Sequence, residues 1–458
     1  MTKTLAIVNP ATGAALAELR ADDAPSVAAK AARARAAQPA WAARPLAERK
    51  AIVARFRERV AVELETLART LTSEVGKPIA QSRNELNGFL GRIDFFLAEV
   101  DASSADAEVY ADAAMTERIG HEPLGVVANI SAWNYPYFVG GNVFVPALLT
   151  GNAVLYKPSE FATLTGLQIA RLLHASGVPE DVFVVLVGGG EVGAALVEQA
   201  VDGVFFTGSA ATGAKIAAAV GPRMIRLQLE LGGKDPTYVA EDVDPKAAAE
   251  SLADGAMYNT GQSCCSVERI YVHERIHDAF VDAFLATVAG FRVGDPAEEG
   301  TYIGAITRAP QLEVLEAQVA DAVAKGGHVR AGGKRMDKAG QWFEPTVVTE
   351  ANHDMLLMRE ESFGPVIGIQ KVKGDDEAVA LMNDTRYGLT AGVYTRDRAR
   401  AERLLARVHA GSVYWNCCDR VSPRLPWSGV GDSGIGVTLS TYGIQTFTRL
   451  KAWHLKKG

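Results

Sequence analysis

Cysteine is scarce in this chain: four in 458 residues, and they fall as two adjacent pairs, Cys264-Cys265 and Cys417-Cys418. Neighbouring cysteines bridge only with strain, and four are no disulfide framework for a chain this long. A reducing compartment, the cytoplasm, is the expected setting. A basic excess is also missing. The formal net charge is −7, which leaves no patch suited to nucleic acid and no polybasic membrane anchor. Internal repeats, low-complexity tracts and Pro-rich linkers are absent. The opening run from Met1 to Pro10 lacks the apolar core and small-residue cleavage site of a signal peptide. No metal site is expected. One uncharged stretch, Pro123 to Tyr156, is long enough to span a membrane. Asn129, Asn134, Pro136, Asn142, Pro146 and Asn152 break it up, so it reads as strand, loop, helix and strand of a buried core in a soluble protein.

What is present is the composition of a globular protein, 48% apolar and 22% charged. The length predicts two or three domains. Asp22, Asp23 and Pro25 mark a helix start before Ser26 to Ala40. A long amphipathic stretch then runs from about Leu46 to Val75, ended by Gly76-Lys77-Pro78, and another from about Gln81 to Val100. From Gly125 the texture alternates. β-rich runs (Val126 to Ile130, Ala153 to Tyr156, Val182 to Val187, Gly203 to Phe206, Arg226 to Glu230) alternate with helical patterns at Thr163 to Ala175 and Gly193 to Gln199. That order predicts a doubly wound parallel sheet. A second α/β pattern begins at Lys234, with strands near Ile270 to His273, Val347 to Thr349, Val366 to Gln370 and Gly392 to Thr395. The junction at Gly232-Gly233 puts Glu230 between the two units, where ligand clefts form.

Two short runs carry the chemistry. Cys264 stands in Gly261-Gln262-Ser263-Cys264-Cys265, and Glu230 lies 34 positions earlier in Leu229-Glu230-Leu231-Gly232-Gly233-Lys234. A thiol that ionises and a carboxylate that activates water suffice for covalent, hydrolytic catalysis. Read singly, the cysteine is ordinary core and the glutamate an ordinary strand end. Other runs have the same double reading. Asn134, in Ser131-Ala132-Trp133-Asn134-Tyr135-Pro136, is an oxyanion donor or a turn residue. Lys157, in Lys157-Pro158-Ser159-Glu160, is a ligand cation or a solvated turn. Gly208 to Gly213, after Phe206-Thr207, is a phosphate-facing helix start or a plain one. Gly188-Gly189-Gly190 reads as a plain loop.

Taken together these runs resemble the signatures of the NAD(P)-dependent aldehyde dehydrogenase superfamily: W-N-[FY]-P, K-P-S-E, F-T-G-S, E-L-G-G-K, G-Q-x-C and, at Glu360 to Pro365, E-E-x-F-G-P. They occur in the family's order, with Glu230 and Cys264 at the family's separation and Lys157 23 residues after Asn134. The resemblance implies Cys264 as nucleophile, Glu230 as general base, and Asn134 with the Cys264 backbone N–H as oxyanion donors. It assigns cofactor contacts to Trp133, Lys157, Ser159, Glu160, Gly208, Ser209, Leu231, Glu361 and Phe363. The implied cofactor is NAD, with NADP a weaker substitute. The substrate is a small aldehyde in a channel lined by Tyr135, Val139, Asn142, Tyr258, Ser263, Val421 and Trp427. Asn416 and the Pro426 to Gly436 segment resemble the signature that borders this channel.

The implied fold is α/β, with a Rossmann-like NAD-binding domain (1–105 and 124–233), an α/β catalytic domain (234–434) and a small β oligomerisation flap (106–123 and 435–458). Its flap pairs Asp106 to Glu122 with a last strand near Ile444 to Leu455, and a homodimer or homotetramer follows. The chain departs from the family at Trp427-Ser428-Gly429 in place of Phe-Gly-Gly, at Val143 where several members carry Lys, and at Asn142 where some carry Trp. Arg420 and Arg424 either meet a substrate carboxylate or are solvated rim charges. Cys265 is a packing residue or a redox partner of Cys264. Two rivals stand beside hydrolytic oxidation: a CoA-acylating relative, which Glu230 opposes, and a non-catalytic protein on the same scaffold.

Overall fold

A computed structural model describes residues 3–457; Met1, Thr2 and Gly458, at the outer ends of the first and last segments delimited above, lie outside the described residues. Two parallel sheets dominate the architecture. In the first, strand Val126–Ile130 is central. The chain moves one way to Ala153–Lys157 and Phe183–Val185, then returns to lay Gly203–Thr207 and Arg226–Glu230 on the other side. All five strands run parallel, and their order reverses at Val126–Ile130. In doubly wound sheets such a switch point opens a crevice at the carboxyl ends of the strands. Every residue of Val126–Ile130 and Ala153–Lys157 is buried, as expected of strands covered by helices on both faces.

The second sheet has seven strands in the order His328–Ala331, Thr346–Thr349, Val366–Val372, Arg269–His273, Pro236–Val239, Thr390–Tyr394 and Ser412–Trp415, all parallel except the first. A third, antiparallel sheet joins Thr448–Lys456, Met115–Pro123 and Ala107–Ala111. The short strand Gly434–Ile435 straddles the sequence boundary at 434 and adds antiparallel to Arg226–Glu230, pairing Gly434 with Glu230.

The uncharged stretch folds as strand, the 14-residue helix Pro136–Leu149, and strand. Among the described residues no helix is long and apolar enough to cross a membrane. The Leu46 to Val75 stretch folds as two helices, Leu46–Val62 and Leu64–Val75, joined at Glu63, which closes the first with its N–H and accepts from Leu67 with its carbonyl. Two expectations need correction. The Gly188 to Gly190 run is no plain loop, since Gly190 opens helix Gly190–Val197 behind Gly189 as N-cap. Ile444 belongs to helix Ser440–Gln445, and the last strand begins only at Thr448.

Candidate active site

The loop before Cys264 is built on unusual backbone. Asn259, Thr260 and Gly261 take φ values of 54, 59 and 67° in succession, a left-handed run that costs free energy for the non-glycine residues. At Gly261 only glycine fits, because a Cβ would meet the Gly364 carbonyl at 2.2 Å. Buried carboxamides hold the run in place. Gln262 accepts from the Thr307 N–H at 2.9 Å and donates to the Asn259 and Ala305 carbonyls. Asn259 donates to the carbonyls of Gln262 and Asn134, at 2.9 and 3.3 Å.

Asn134 reaches this loop from the end of the central strand. Its Nδ2 donates to the Gln262 carbonyl at 3.2 Å, which leaves one amide proton for another acceptor beside the thiols. Cys264 is half-buried and Ser263 and Cys265 are buried. The two thiols differ. Cys265 donates to Asp419 Oδ1 at 3.0 Å, and its contact with Cys264, then burial and the Asp419 charge, hold it well above the ordinary thiol range. Cys264, like Trp133, Phe138 and Val421, packs against the apolar cluster that contains Trp427. Asp419 is itself pushed up to about 6 by burial. Nothing in its local run marks it, because it stands 154 residues from its partner.

Glu230 ends its strand 7% exposed, and its Oε1 has no hydrogen-bond partner among the described residues. Burial pushes its carboxyl well above the ordinary range, opposed by the Trp427 indole. The Leu231-Gly232-Gly233 turn then passes directly beside the thiol loop: a Cβ on Gly233 would lie 3.1 Å from the Cys264 carbonyl. Ser433 fixes this turn by donating to the Gly232 carbonyl at 2.7 Å, and Leu231 donates to the Ser433 carbonyl.

At the carboxyl edge of the first sheet, Lys157 is 4% exposed. Its ammonium donates to the Pro158 carbonyl at 3.0 Å and lies 3.8 Å from Glu160, and burial lowers its pKa. A buried ammonium with one carbonyl partner and spare donors fits a ligand's hydroxyl oxygens. Ser159 donates to Glu160 at 3.3 Å. The strand Gly203–Thr207 leads through Gly208 to Ser209, which caps helix Ala210–Val220. That N-terminus offers unpaired amides where a pyrophosphate would sit.

Glu361 accepts from the Gly233 N–H at 3.2 Å, and burial raises it to about 8. Phe363 meets Trp133 edge-on at 5.5 Å. The segment bearing both is clamped by a residue the sequence did not single out. Glu268 accepts from the Ser362 and Phe363 amides and from Lys234, the last at 2.5 Å. In the channel region Tyr135 stacks on Phe138 at 5.9 Å, Tyr258 accepts from Asn84 at 3.1 Å, and Val139 is half-buried. Asn142 is buried and accepts from Arg92 at 2.8 Å, a partner not foreseen. Arg420 and Arg424 are exposed, and neither forms an ion pair within the described residues. Asn416 bonds both ways with the backbone of Thr395, pinning a strand end.

A doubly wound sheet opening at its switch point onto a cysteine loop, with a second parallel sheet behind it, is the architecture of a two-sheet α/β oxidoreductase. The chain belongs to the aldehyde dehydrogenase family, whose model matches residues 1–453, and it is an oxidoreductase acting on aldehydes. It is 36% identical to the 3,6-anhydro-alpha-L-galactose dehydrogenase of Streptomyces coelicolor, over 99% of this chain and 93% of that protein. It is 34% identical to the NADP(+) succinate-semialdehyde dehydrogenase of Deinococcus radiodurans, over 98% of this chain and 94% of that one. Among solved structures, PnpE from Pseudomonas sp. WBC-3, also determined in complex with nicotinamide adenine dinucleotide, superposes with a TM-score of 0.95 at 34% identity, covering 99% of this chain and 94% of its own.

Proposed function

We propose that this protein oxidises a small aldehyde to the carboxylic acid, using NAD as the preferred hydride acceptor and NADP less well. The observation that carries the reading is the convergence of three segments: the Asn134 amide bonds to the loop of Cys264, and the turn that follows Glu230, whose Oε1 is unpartnered, borders that loop. Lys157 and Glu160 would hold the adenosine ribose, the capped helix at Ser209 the pyrophosphate, and Glu361 the nicotinamide ribose. Trp133 and Phe363 would flank the ring.

In this reading the Cys264 thiolate adds to the aldehyde carbon, forming the C–S bond. The oxygen that becomes an alkoxide is held by the Asn134 amide and the Cys264 N–H. A nicotinamide held between Trp133 and Phe363 would supply the hydride acceptor, and loss of hydride leaves the substrate as a thioester on Cys264. Glu230 then takes a proton from water as the hydroxyl adds to that carbon. The C–S bond breaks, the acid leaves, and the thiolate is restored. Cys265, held protonated beside Asp419, is not the attacking group. The domain divisions at 105, 123, 233 and 434 follow the same reading. The third sheet, with Val109, Tyr110, Leu450 and Leu455 exposed, supports assembly into a dimer or tetramer, and the free cysteines support a cytoplasmic setting.

Replacing Cys264 with Ser tests the nucleophile. A hydroxyl is a far weaker nucleophile at neutral pH, so aldehyde-dependent NADH formation is lost while NAD binding, read by protein fluorescence, persists. Cys265→Ser keeps most of its activity. An active Cys264→Ser beside a dead Cys265→Ser would overturn the assignment. An NADH yield that depends on added CoA would replace water as the acyl acceptor.

A further inference from the structure

We propose that Arg92 is a substrate-specificity residue that binds a carboxylate on the far end of the aldehyde, so that the enzyme acts on short semialdehydes of dicarboxylic acids. Arg92 projects from helix Ile79–Ser104 and is 6% exposed. A buried guanidinium ordinarily has a carboxylate partner, since desolvating an unpaired charge is costly. This one has none among the described residues. One Nη donates to Asn142 Oδ1 at 2.8 Å, and the guanidinium lies 3.8 Å over the Phe138 ring. Its Nε and second Nη donate to no described residue, yet neither is sealed in the interior as an orphan. Two donors of a planar fork are thus left in the geometry that suits a bidentate carboxylate.

The nearest acid is already committed. Glu85, two turns earlier on the same helix, binds Lys77 at 2.5 Å and accepts from the Tyr137 amide at 2.9 Å. Lys77, the other buried cation of this wall, is used by that pair and lies 3.7 Å from the centre of the Tyr135 ring. Arg92 is therefore the cation left over. Its place is against the channel wall. Phe138 stacks on Tyr135, the residue after Asn134, and Arg92 lies within electrostatic reach of Glu85, Cys265 and Cys264. A carboxylate held there leaves the other end of a short chain to reach the thiols. Burial lowers Arg92 only to about 10, so it stays charged at neutral pH. The rival group is Asp419, whose carboxylate beside Cys265 would favour an ammonium on the substrate.

The proposal rests on Cys264 as nucleophile, and the experiment separates the two. Three aldehydes of matched length, 4-oxobutanoate, butanal and 4-aminobutanal, are compared in kcat/KM on the intact enzyme with NAD. The expected result is at least a tenfold preference for 4-oxobutanoate over both others. In Arg92→Gln the ratio of 4-oxobutanoate to butanal falls about thirtyfold, mainly through KM, and Arg92→Lys recovers part of it. A preference for butanal or 4-aminobutanal in the unmodified enzyme overturns the proposal. So does an unchanged ratio in Arg92→Gln, including an equal loss on both aldehydes, which marks a merely structural role. Were the Cys264 reading itself wrong, Cys264→Ser would remain active on all three aldehydes. A failure confined to Arg92 leaves the dependence on Cys264 intact.

Discussion

Glu230 and Glu268 are both buried carboxylates at the seam between the two parallel sheets, and their surroundings treat them in opposite ways. Glu268 is saturated: the Lys234 ammonium and the amides of Ser362 and Phe363 occupy its oxygens. Glu230 has an oxygen with no partner and a carboxyl pushed well up by burial. A saturated carboxylate has no free lone pair aimed at a ligand. An unsaturated one gains stability by taking a proton, which is what a general base must do. Residue type and burial are alike in the two, so the distinction lies in the partners.

The sharpest way to break this comparison is to neutralise Glu230. Glu230→Gln keeps the shape and removes the base, so thioester formation proceeds and its hydrolysis stalls. The expected outcome is a burst of NADH near one per active site, then steady turnover reduced about a hundredfold or more. Steady-state turnover within about twofold of the unmodified enzyme would sink the role given to Glu230. Below the ordinary carboxylate pKa, folding stability should stay within about 1 kcal/mol, because no hydrogen bond to Oε1 is lost.

A pH series sharpens the point. With its folded pKa above the unfolded value, Glu230 is protonated at low pH and cannot accept a proton from water. Steady turnover therefore rises with pH through that raised value, while the burst persists below it. The stability effect has the opposite sign. The folded state holds the proton more tightly than the unfolded one, so stability is full below the ordinary carboxylate pKa and is lost as pH climbs through the raised value. In Glu230→Gln both dependences vanish. A pH profile of turnover identical in the two proteins would show that another group supplies the base.

Glu268→Gln is the converse experiment. It strands the Lys234 ammonium, fully buried and otherwise bonded only to the Ser362 hydroxyl. Removing one member of a buried pair costs about 3–5 kcal/mol, to be read as a lower midpoint in urea. The segment Glu361 to Phe363 loses its clamp, so KM for NAD should rise while the NADH burst per folded site survives. A variant as stable as the unmodified protein but without turnover would mean that Glu268, too, takes part in the chemistry.

How far these roles could be read in the sequence depends on whether the signal is local. Cys264, Glu230, Asn134 and Lys157 each sit in a contiguous run with its own pattern, and strand Val126–Ile130 announces itself by a run that is apolar except at Asn129. Relations between distant residues leave no such mark. Glu268 meets Ser362 across 94 positions, Cys265 meets Asp419 across 154, and Arg92 meets Asn142 across 50. Nothing in the local text of Glu268 or Arg92 distinguishes it from a solvated helix or strand charge. The interruption at Glu63 leaves no mark for the same kind of reason, because hydrophobic period reports a helix face and is blind to one non-helical residue.

A third carboxylate gives the mildest test, because it is neither buried nor saturated. Glu160 has a side chain 37% exposed, with the Ser159 hydroxyl at 3.3 Å and Lys157 at 3.8 Å as its partners. If it accepts from the adenosine ribose hydroxyls, NAD keeps those hydrogen bonds. NADP replaces a donor with a dianion facing a carboxylate. The lost hydrogen bond and the like-charge contact together disfavour NADP by about 2–4 kcal/mol, roughly thirty- to a thousandfold in kcat/KM. Lys157 opposes this, since its ammonium also attracts a phosphate, and the lower part of that range is the better expectation. Glu160→Gln removes the like charge but keeps an acceptor, so it should raise NADP use more than it lowers NAD use, shifting their ratio by about tenfold. Measuring kcat/KM for both cofactors on one aldehyde decides the matter. Equal values in the unmodified enzyme, or a preference for NADP, would refute this reading of Glu160. They would place cofactor choice instead with the Lys157 ammonium, which is almost wholly buried at that edge.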